Sequence, residues 1–289
     1  MRAAQGGPTN EKAGISSFSL KVAAIIGMSC NHLANVFADS FPDALCLVLY
    51  SFGGLTFPIM AFLLVEGYRH SSDLRKYALR LGAFALISQL PYSLLWGATA
   101  NVLWTLLLAL GALRAYNEAR SRGGVALPLF WAALVLGYFA ISGFDWGGIG
   151  LVMPLLFYIL NERRFSVAVV MLVPLVATLM PAVEGFAALH EAGYDSLAAF
   201  VSLFDLDGTT QPPFIPCANG NNEILQAGLY LTLFGSVGYA LVGFGLATLM
   251  LLAYNGRRGR PLKWFFYCYY PAHLALIWLA KLLLEGLAL

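Results

Sequence analysis

The chain has 289 residues, 60% of them hydrophobic and only 11% charged, with a mean hydropathy of +0.74. Ordinary soluble domains carry roughly one-quarter charged residues, so a soluble globular class is excluded and an integral membrane protein is implied. The net charge of +2 says little about partners, because in a membrane the side on which each Lys and Arg lies matters more than their sum.

Residues 1–15, rich in Gly, Pro, Asn and charge, read as a flexible cytoplasmic segment ahead of one transmembrane domain over 16–289. The first apolar stretch contains Asn31 and His32 and lacks a small-residue cleavage site, so it is expected to stay rather than to be removed as a signal peptide. A hydrocarbon core of about 30 Å takes around 20 apolar residues per helix. Stretches near that length run about 17–37, 44–67, 75–96, 101–117, 124–141, 146–161, 165–183, 226–253 and 262–284, which predicts an all-α polytopic fold of about nine spans. Basic residues cluster in alternate connections: Arg69, Arg75, Lys76 and Arg80; Arg114, Arg120 and Arg122; Arg163 and Arg164; Arg257, Arg258, Arg260 and Lys263. The positive-inside rule then places the N-terminus in the cytoplasm and the C-terminus outside, with Lys281 the one basic residue in the outer half. The stretch 181–226 carries six acidic side chains and many turn formers, and reads as an outer loop able to cover the outer mouth. The four cysteines show no metal-ligand spacing, and no metal or nucleic-acid partner is expected.

Polar groups inside lipid are costly, so those that remain are candidates for function. Counting about 1.5 Å per residue puts His32 roughly 22 Å into the first span, beside Asn31, and His273 roughly 16 Å into the last, after Pro271. Either imidazole can take and return a proton near neutral pH. The structural alternative is a neutral histidine tying two helices together. Ser88, Gln89, Asn101, Thr105 and Asp145 fall near the outer half and together suggest an acceptor pocket; singly, each reads equally well as a packing or capping residue. At the inner face, Arg69, His70, Arg75, Lys76 and Arg80 surround a helix start, a geometry suited to phosphates, or else one that holds the loop inside against lipid headgroups. Lys263 shares a helix with His273.

The stretches Leu20–His32 (LKVAAIIGMSCNH), Thr56–Arg80 (TFPIMAFLLVEGYRHSSDLRKYALR), Leu86–Tyr92 (LISQLPY), Asn101–Gly111 (NVLWTLLLALG), Asp145–Gly150 (DWGGIG) and Lys263–His273 (KWFFYCYYPAH) resemble the TraX family, whose prototype is associated with N-terminal acetylation of conjugative-pilus pilin. The family pattern has an acid before the first histidine, where this chain has Asn31. The resemblance implies a multi-pass acetyltransferase of the bacterial inner membrane that moves an acetyl group from cytosolic acetyl-CoA to an outer-face acceptor, the N-terminal amine of pilin first among them. His32, His273 and Asn31 would then be catalytic; Arg69, His70, Arg75, Lys76, Arg80 and Lys263 would hold the donor; Ser88, Gln89, Asn101, Thr105 and Asp145 would face the acceptor. Membrane lipid, acetyl-CoA and pilin are the expected partners. An O-acetyltransferase of a cell-surface glycan, a proton-coupled small-anion transporter and a non-catalytic assembly protein are the competing expectations.

Overall fold

The structure, a computed structural model, describes residues 14–160, 163–191 and 233–287. Most of the predicted N-terminal segment and the acidic stretch beyond residue 191 lie outside these. The described residues form helices and their connections, with no named strand. The helices are α1 (Ser17–Val36), α2 (Asp43–Gly53), α3 (Thr56–His70), α4 (Leu74–Trp96), α5 (Val102–Arg122), α6 (Ala126–Ala140), α7 (Gly147–Ile159), α8 (Arg163–Glu191), α9 (Leu233–Leu252) and α10 (Lys263–Leu287). Helix α8 continues through Pro174 and Pro181 to Glu191, so residues 181–191, read as the start of the outer loop, belong to a helix.

Five helical stretches are long and apolar enough to cross a membrane: Asp43–His70, Leu74–Trp96, Arg164–Ala187, Leu233–Leu252 and Lys263–Gly286. The apolar helices α6 and α7 are shorter, at 15 and 13 residues. Polar side chains dilute the other two: Lys21, Asn31, His32 and Asn35 in α1, and Arg114, Asn117 and Glu118 in α5.

The outer surface is apolar where that of a water-soluble bundle would be polar. Leu79, Leu86 and Leu90 form an outward stripe on α4, at 72%, 64% and 70% exposed, while Ser88 on the inner face is fully buried. Asn101, Thr105, His32 and His273 are buried with it. An apolar exterior around a largely apolar interior that encloses a few polar groups suits lipid, because those groups can satisfy one another while the outer surface needs no hydrogen bonds.

The stretch predicted as one span at 44–67 is two helices, α2 and α3, parted at Gly54 and Leu55. Backbone crowding explains the break. A Cβ on Gly54 would overlap the carbonyl oxygen of Tyr239, and one on Gly243 would stand 2.5 Å from Gly54 Cα. In α9 the facing turn, Tyr239–Phe244, is widened to a π-helix. Small residues let helices approach closely enough for backbone to meet backbone. Gly54→Ala is therefore expected to lower stability by about 1–3 kcal/mol through overpacking, read as a lower Tm of the purified protein; an unchanged Tm would mean the junction relaxes freely.

The start of α1 and the α9–α10 connection are stitched together at one face. Ile15 bridges to Tyr254, with Ile15 N–H donating to the Ala253 carbonyl and Asn255 N–H donating to the Ile15 carbonyl, both at 2.9 Å. The first N–H groups of α1, on Ser17 and Phe18, donate to the carbonyls of Arg257 and Arg258. This clamp brings the α9–α10 connection against the start of α1. Helix α10 then packs on α4 and α1, while α3 and α5 pack on α7 and on each other.

Candidate functional site

His32 and His273, 241 residues apart in sequence, are hydrogen-bonded to each other: His32 Nδ1 lies 2.8 Å from His273 Nε2, with the two rings 7° from parallel. Both are buried, at 7% and 6% exposed. The tautomers follow from the partners. His273 Nδ1 is 3.0 Å from the Tyr269 carbonyl oxygen, which can only accept, so Nδ1 carries the hydrogen. In the neutral pair His273 Nε2 is then the acceptor and His32 Nδ1–H the donor, which leaves the lone pair of the dyad on His32 Nε2. The third member is held in turn. Tyr269 stacks on His273 at 5.1 Å between ring centroids, and its hydroxyl is 2.7 Å from that of Ser29 on α1. Pro271 lies about two turns into α10, two residues before His273. The arrangement can move a proton to and from a group placed at His32 Nε2.

Asn31 does not join this pair. Its Cβ packs against Gly53, and its side-chain and main-chain oxygens both accept from the Asn35 amide. The 100° step between neighbouring residues on a helix turns Asn31 toward α2 while His32 faces α10.

A cavity of about 620 Å³ rises from the stitched face toward the histidines. Its rim holds Lys21, His70, Arg80, Arg258 and Lys263, with Glu66 the acidic exception. Above the rim the wall is apolar, with Met28, Met60, Leu63, Leu103 and Leu106. Tyr270 is also on the lining; its ring lies 5.5 Å from His273 and 6.4 Å from His32, neither of which lines the cavity. A basic mouth, a greasy throat and a proton-transfer pair beyond it suit a ligand with phosphates at one end and a thin uncharged arm at the other. Volumes of about 300–1,000 Å³ are usual for small-ligand sites.

Of the basic residues singled out in the sequence, His70, Arg80 and Lys263 line this cavity, whereas Arg69, Arg75 and Lys76 do not. Arg69 pairs with Glu66 at 3.6 Å, lies over the Tyr158 ring and donates to the Tyr158 carbonyl. Lys76 pairs with Asp73 at 3.3 Å, and Arg75 is exposed. Asp73 caps α4 by accepting the Lys76 N–H, a bond that holds its carboxyl below the usual range. Lys21 and Arg258 line the cavity instead. The sequence held one signal for Lys21, a basic residue inside the first span; Arg258 reaches the rim only through the Ile15–Tyr254 clamp.

The outer polar residues divide in the same way. Gln89 and Asn101 are consumed by a network that joins α4 to α5. Gln89 Oε1 accepts from Asn101 Nδ2 at 2.9 Å and from Trp104 Nε1 at 3.1 Å, while its amide donates to Thr99 and Ser93. Asn101 also donates to the Ala85 carbonyl and caps α5 by accepting from Leu103 N–H. Thr105 donates to the Asp145 carbonyl at 2.6 Å. These three therefore hold helices in register rather than offering free groups. Ser88 Oγ is buried without a hydrogen-bond partner. The Asp145 carboxyl, in the turn before α7, is raised to about 6 by burial, opposed by the Trp146 N–H, and is within electrostatic reach of Tyr92, Tyr239 and Tyr270.

A family model described as TraX protein matches residues 16–212. The chain is also 29% identical over 291 aligned residues to a protein of Dichelobacter nodosus named "Probable fimbrial assembly protein FimC, serogroup H1", an alignment that covers 93% of this chain and 97% of that one. No solved structure matches. With the family match extending over well more than half of its length, and taking in α1, the basic rim around Arg80 and the Gly54 junction, the chain belongs to the TraX family.

Proposed function

We propose that this protein is an inner-membrane acetyltransferase, moving an acetyl group from cytosolic acetyl-CoA to an amine at the outer face. The pilin N-terminus is the acceptor suggested by the family and by the fimbrial-assembly name of its relative. The chain crosses the bilayer nine times as one domain, with α2 and α3 making a single broken pass, its N-terminus in the cytoplasm and its C-terminus outside. The basic rim faces the cytosol in this orientation, and the donor's phosphates rest on Lys21, Arg80, Arg258 and Lys263. The pantetheine arm follows the apolar throat toward Tyr270.

At the far end the amine nitrogen attacks the thioester carbon and a C–N bond forms. His32 Nε2 accepts the proton lost by that nitrogen, and the charge gained by the ring is shared through His273 with the Tyr269 carbonyl. The C–S bond breaks as the coenzyme A thiolate leaves, and the proton on His32 is returned to sulfur. Asp145 offers a carboxylate to the arriving ammonium. Much of the rate comes from holding donor and acceptor on either side of the dyad.

The observation that carries this reading is the buried His32–His273 dyad beside Tyr270, a residue on the lining of a basic-mouthed cavity. Calorimetric titration of the protein in lipid nanodiscs with acetyl-CoA tests it. Saturable binding displaced by free coenzyme A is expected, followed by an acetyl mass mark on pilin that depends on this protein. Absence of binding would reject the enzyme and leave an assembly or transport role.

A further inference from the structure

An amine that arrives protonated must lose two protons to become an amide. The dyad presents one lone pair, and the proton it takes is passed to the departing thiolate, so a second acceptor is required before attack. An α-amino group, with a pKa near 7.7–8.0, is mostly protonated at neutral pH. The fold holds a carboxylate, that of Asp145, at the end of the bundle opposite the basic mouth. Its N–H donates to the Ala100 carbonyl at 2.9 Å and its carbonyl accepts from Thr105 at 2.6 Å, which seats the turn against the connection that follows α4. The last turn of α4 links this turn to the dyad: the Trp96 ring stands 4.9 Å from the His32 ring and 4.9 Å from that of Tyr92, which Asp145 reaches electrostatically. The turn is strained as well. Trp146 is the one non-glycine residue with positive φ among the described residues, at 62°, a left-handed conformation unusual for so bulky a side chain. Its stack on Phe57, 4.2 Å between centroids, and the close approach that Gly150 permits to Thr105 hold it there. Strain of this kind persists where packing over-determines it, and it clusters at functional sites. Among the described residues no ion pair neutralises Asp145. The residue is half-buried, and burial raises its carboxyl to about 6. Tyr92, Tyr239 and Tyr270, from α4, α9 and α10, are the titratable groups within its electrostatic reach.

We infer that Asp145 takes the first proton from the acceptor's ammonium, before His32 takes the second during attack. This rests on the acetyl-transfer reading and deepens it, because a carboxylate set ahead of the base serves an amine and has no use for a hydroxyl. The balance closes in three steps. An N–H bond of the ammonium breaks, its electron pair stays on nitrogen, and the proton bonds to a carboxylate oxygen of Asp145. The neutral amine then attacks the thioester carbon; the C–N bond forms, the C–S bond breaks, and His32 carries the second proton from nitrogen to sulfur. The Asp145 carboxylic acid finally gives its proton to water, which a half-buried side chain can reach. The first transfer cancels two opposite charges at once, which a weakly solvated setting favours.

Asp145→Asn tests this in nanodiscs with acetyl-CoA and two acceptors. One is a pilin N-terminal peptide beginning with glycine; the other is the same peptide with that residue replaced by aza-glycine, whose terminal NH2 is uncharged at neutral pH. On the glycine peptide at pH 7 and saturation, kcat of the variant falls about 10²-fold. The loss shrinks as pH rises past the pKa of the amine, because the amine then arrives neutral. Wild type keeps its rate down to about pH 6, below which Asp145 is itself protonated and cannot accept. On the aza-glycine peptide the variant works at close to the wild-type rate. Equal losses on both peptides overturn the assignment, since they mark a purely structural turn. A wild-type kcat in the variant also overturns it, with or without a raised KM, because the carboxylate is then at most an anchor. His32→Ala run in parallel loses transfer to both peptides, each nitrogen giving up a proton at attack. Wild type that binds no acetyl-CoA refutes the transfer reading itself.

Discussion

His32→Ala is expected to lower acetyl transfer by about 10²–10⁴-fold, the usual contribution of a general base, while acetyl-CoA affinity stays near wild type and the Tm falls somewhat, because a buried ring and its bond to His273 are lost. The reason lies in the hydrogen-bond order of the dyad. Tyr269 fixes the proton on His273 Nδ1, His273 fixes the proton on His32 Nδ1, and the lone pair is delivered to His32 Nε2. Removing His32 removes the base itself. His273→Ala leaves the base but frees its tautomer and orientation, so a smaller loss is expected, with the pH profile of kcat displaced relative to wild type. Transfer assayed on a pilin N-terminal peptide, with the variants in nanodiscs, distinguishes these outcomes. Wild-type turnover by His32→Ala would remove the dyad from the chemistry.

The second large effect concerns the donor. Arg80→Ala combined with Arg258→Ala is expected to weaken acetyl-CoA binding by at least about 100-fold, since each charged hydrogen bond contributes about 1.5–3 kcal/mol. Both side chains are on the cavity lining, and Arg80 Nε is buried with no hydrogen-bond partner among the described residues. Arg75→Ala with Lys76→Ala is the informative control, because those side chains are exposed and one is already paired with Asp73. Their replacement should leave the dissociation constant almost unchanged. Calorimetry on the two double variants, repeated at high salt to weaken long-range attraction, ranks them; the reverse ranking would return the donor to the start of α4.

What the sequence made legible follows from the range of each interaction. Helices such as α4 and α10 can be read from their own residues, because an apolar stretch that long has few alternatives in lipid. The break at Gly54 cannot, since its cause is a carbonyl on Tyr239 in another helix. His32 and His273 each announce themselves as expensive intramembrane groups, but their mutual bond depends on the packing of the first helix against the last. Which basic residues reach the cavity is hidden for a related reason. Arg75 and Lys76 are near Arg80 along the chain yet lie on the outward side of the helix start, whereas Lys21 and Arg258 meet only through the Ile15 clamp. Gln89 and Asn101 carry the same polarity that a binding pocket would need; only the coordinates reveal that each spends it on its neighbour.

The clamp between Ile15 and Tyr254, together with a dyad that draws one ring from α1 and the other from α10, sets a rule for biosynthesis. Helix α1 leaves the ribosome early and must wait in the bilayer with its imidazole unmatched until the final hairpin is threaded. No shortened translation product ending before α10 can possess either the complete rim or the proton-handling couple. Completion of the site therefore waits on α10, whichever ligand that site takes.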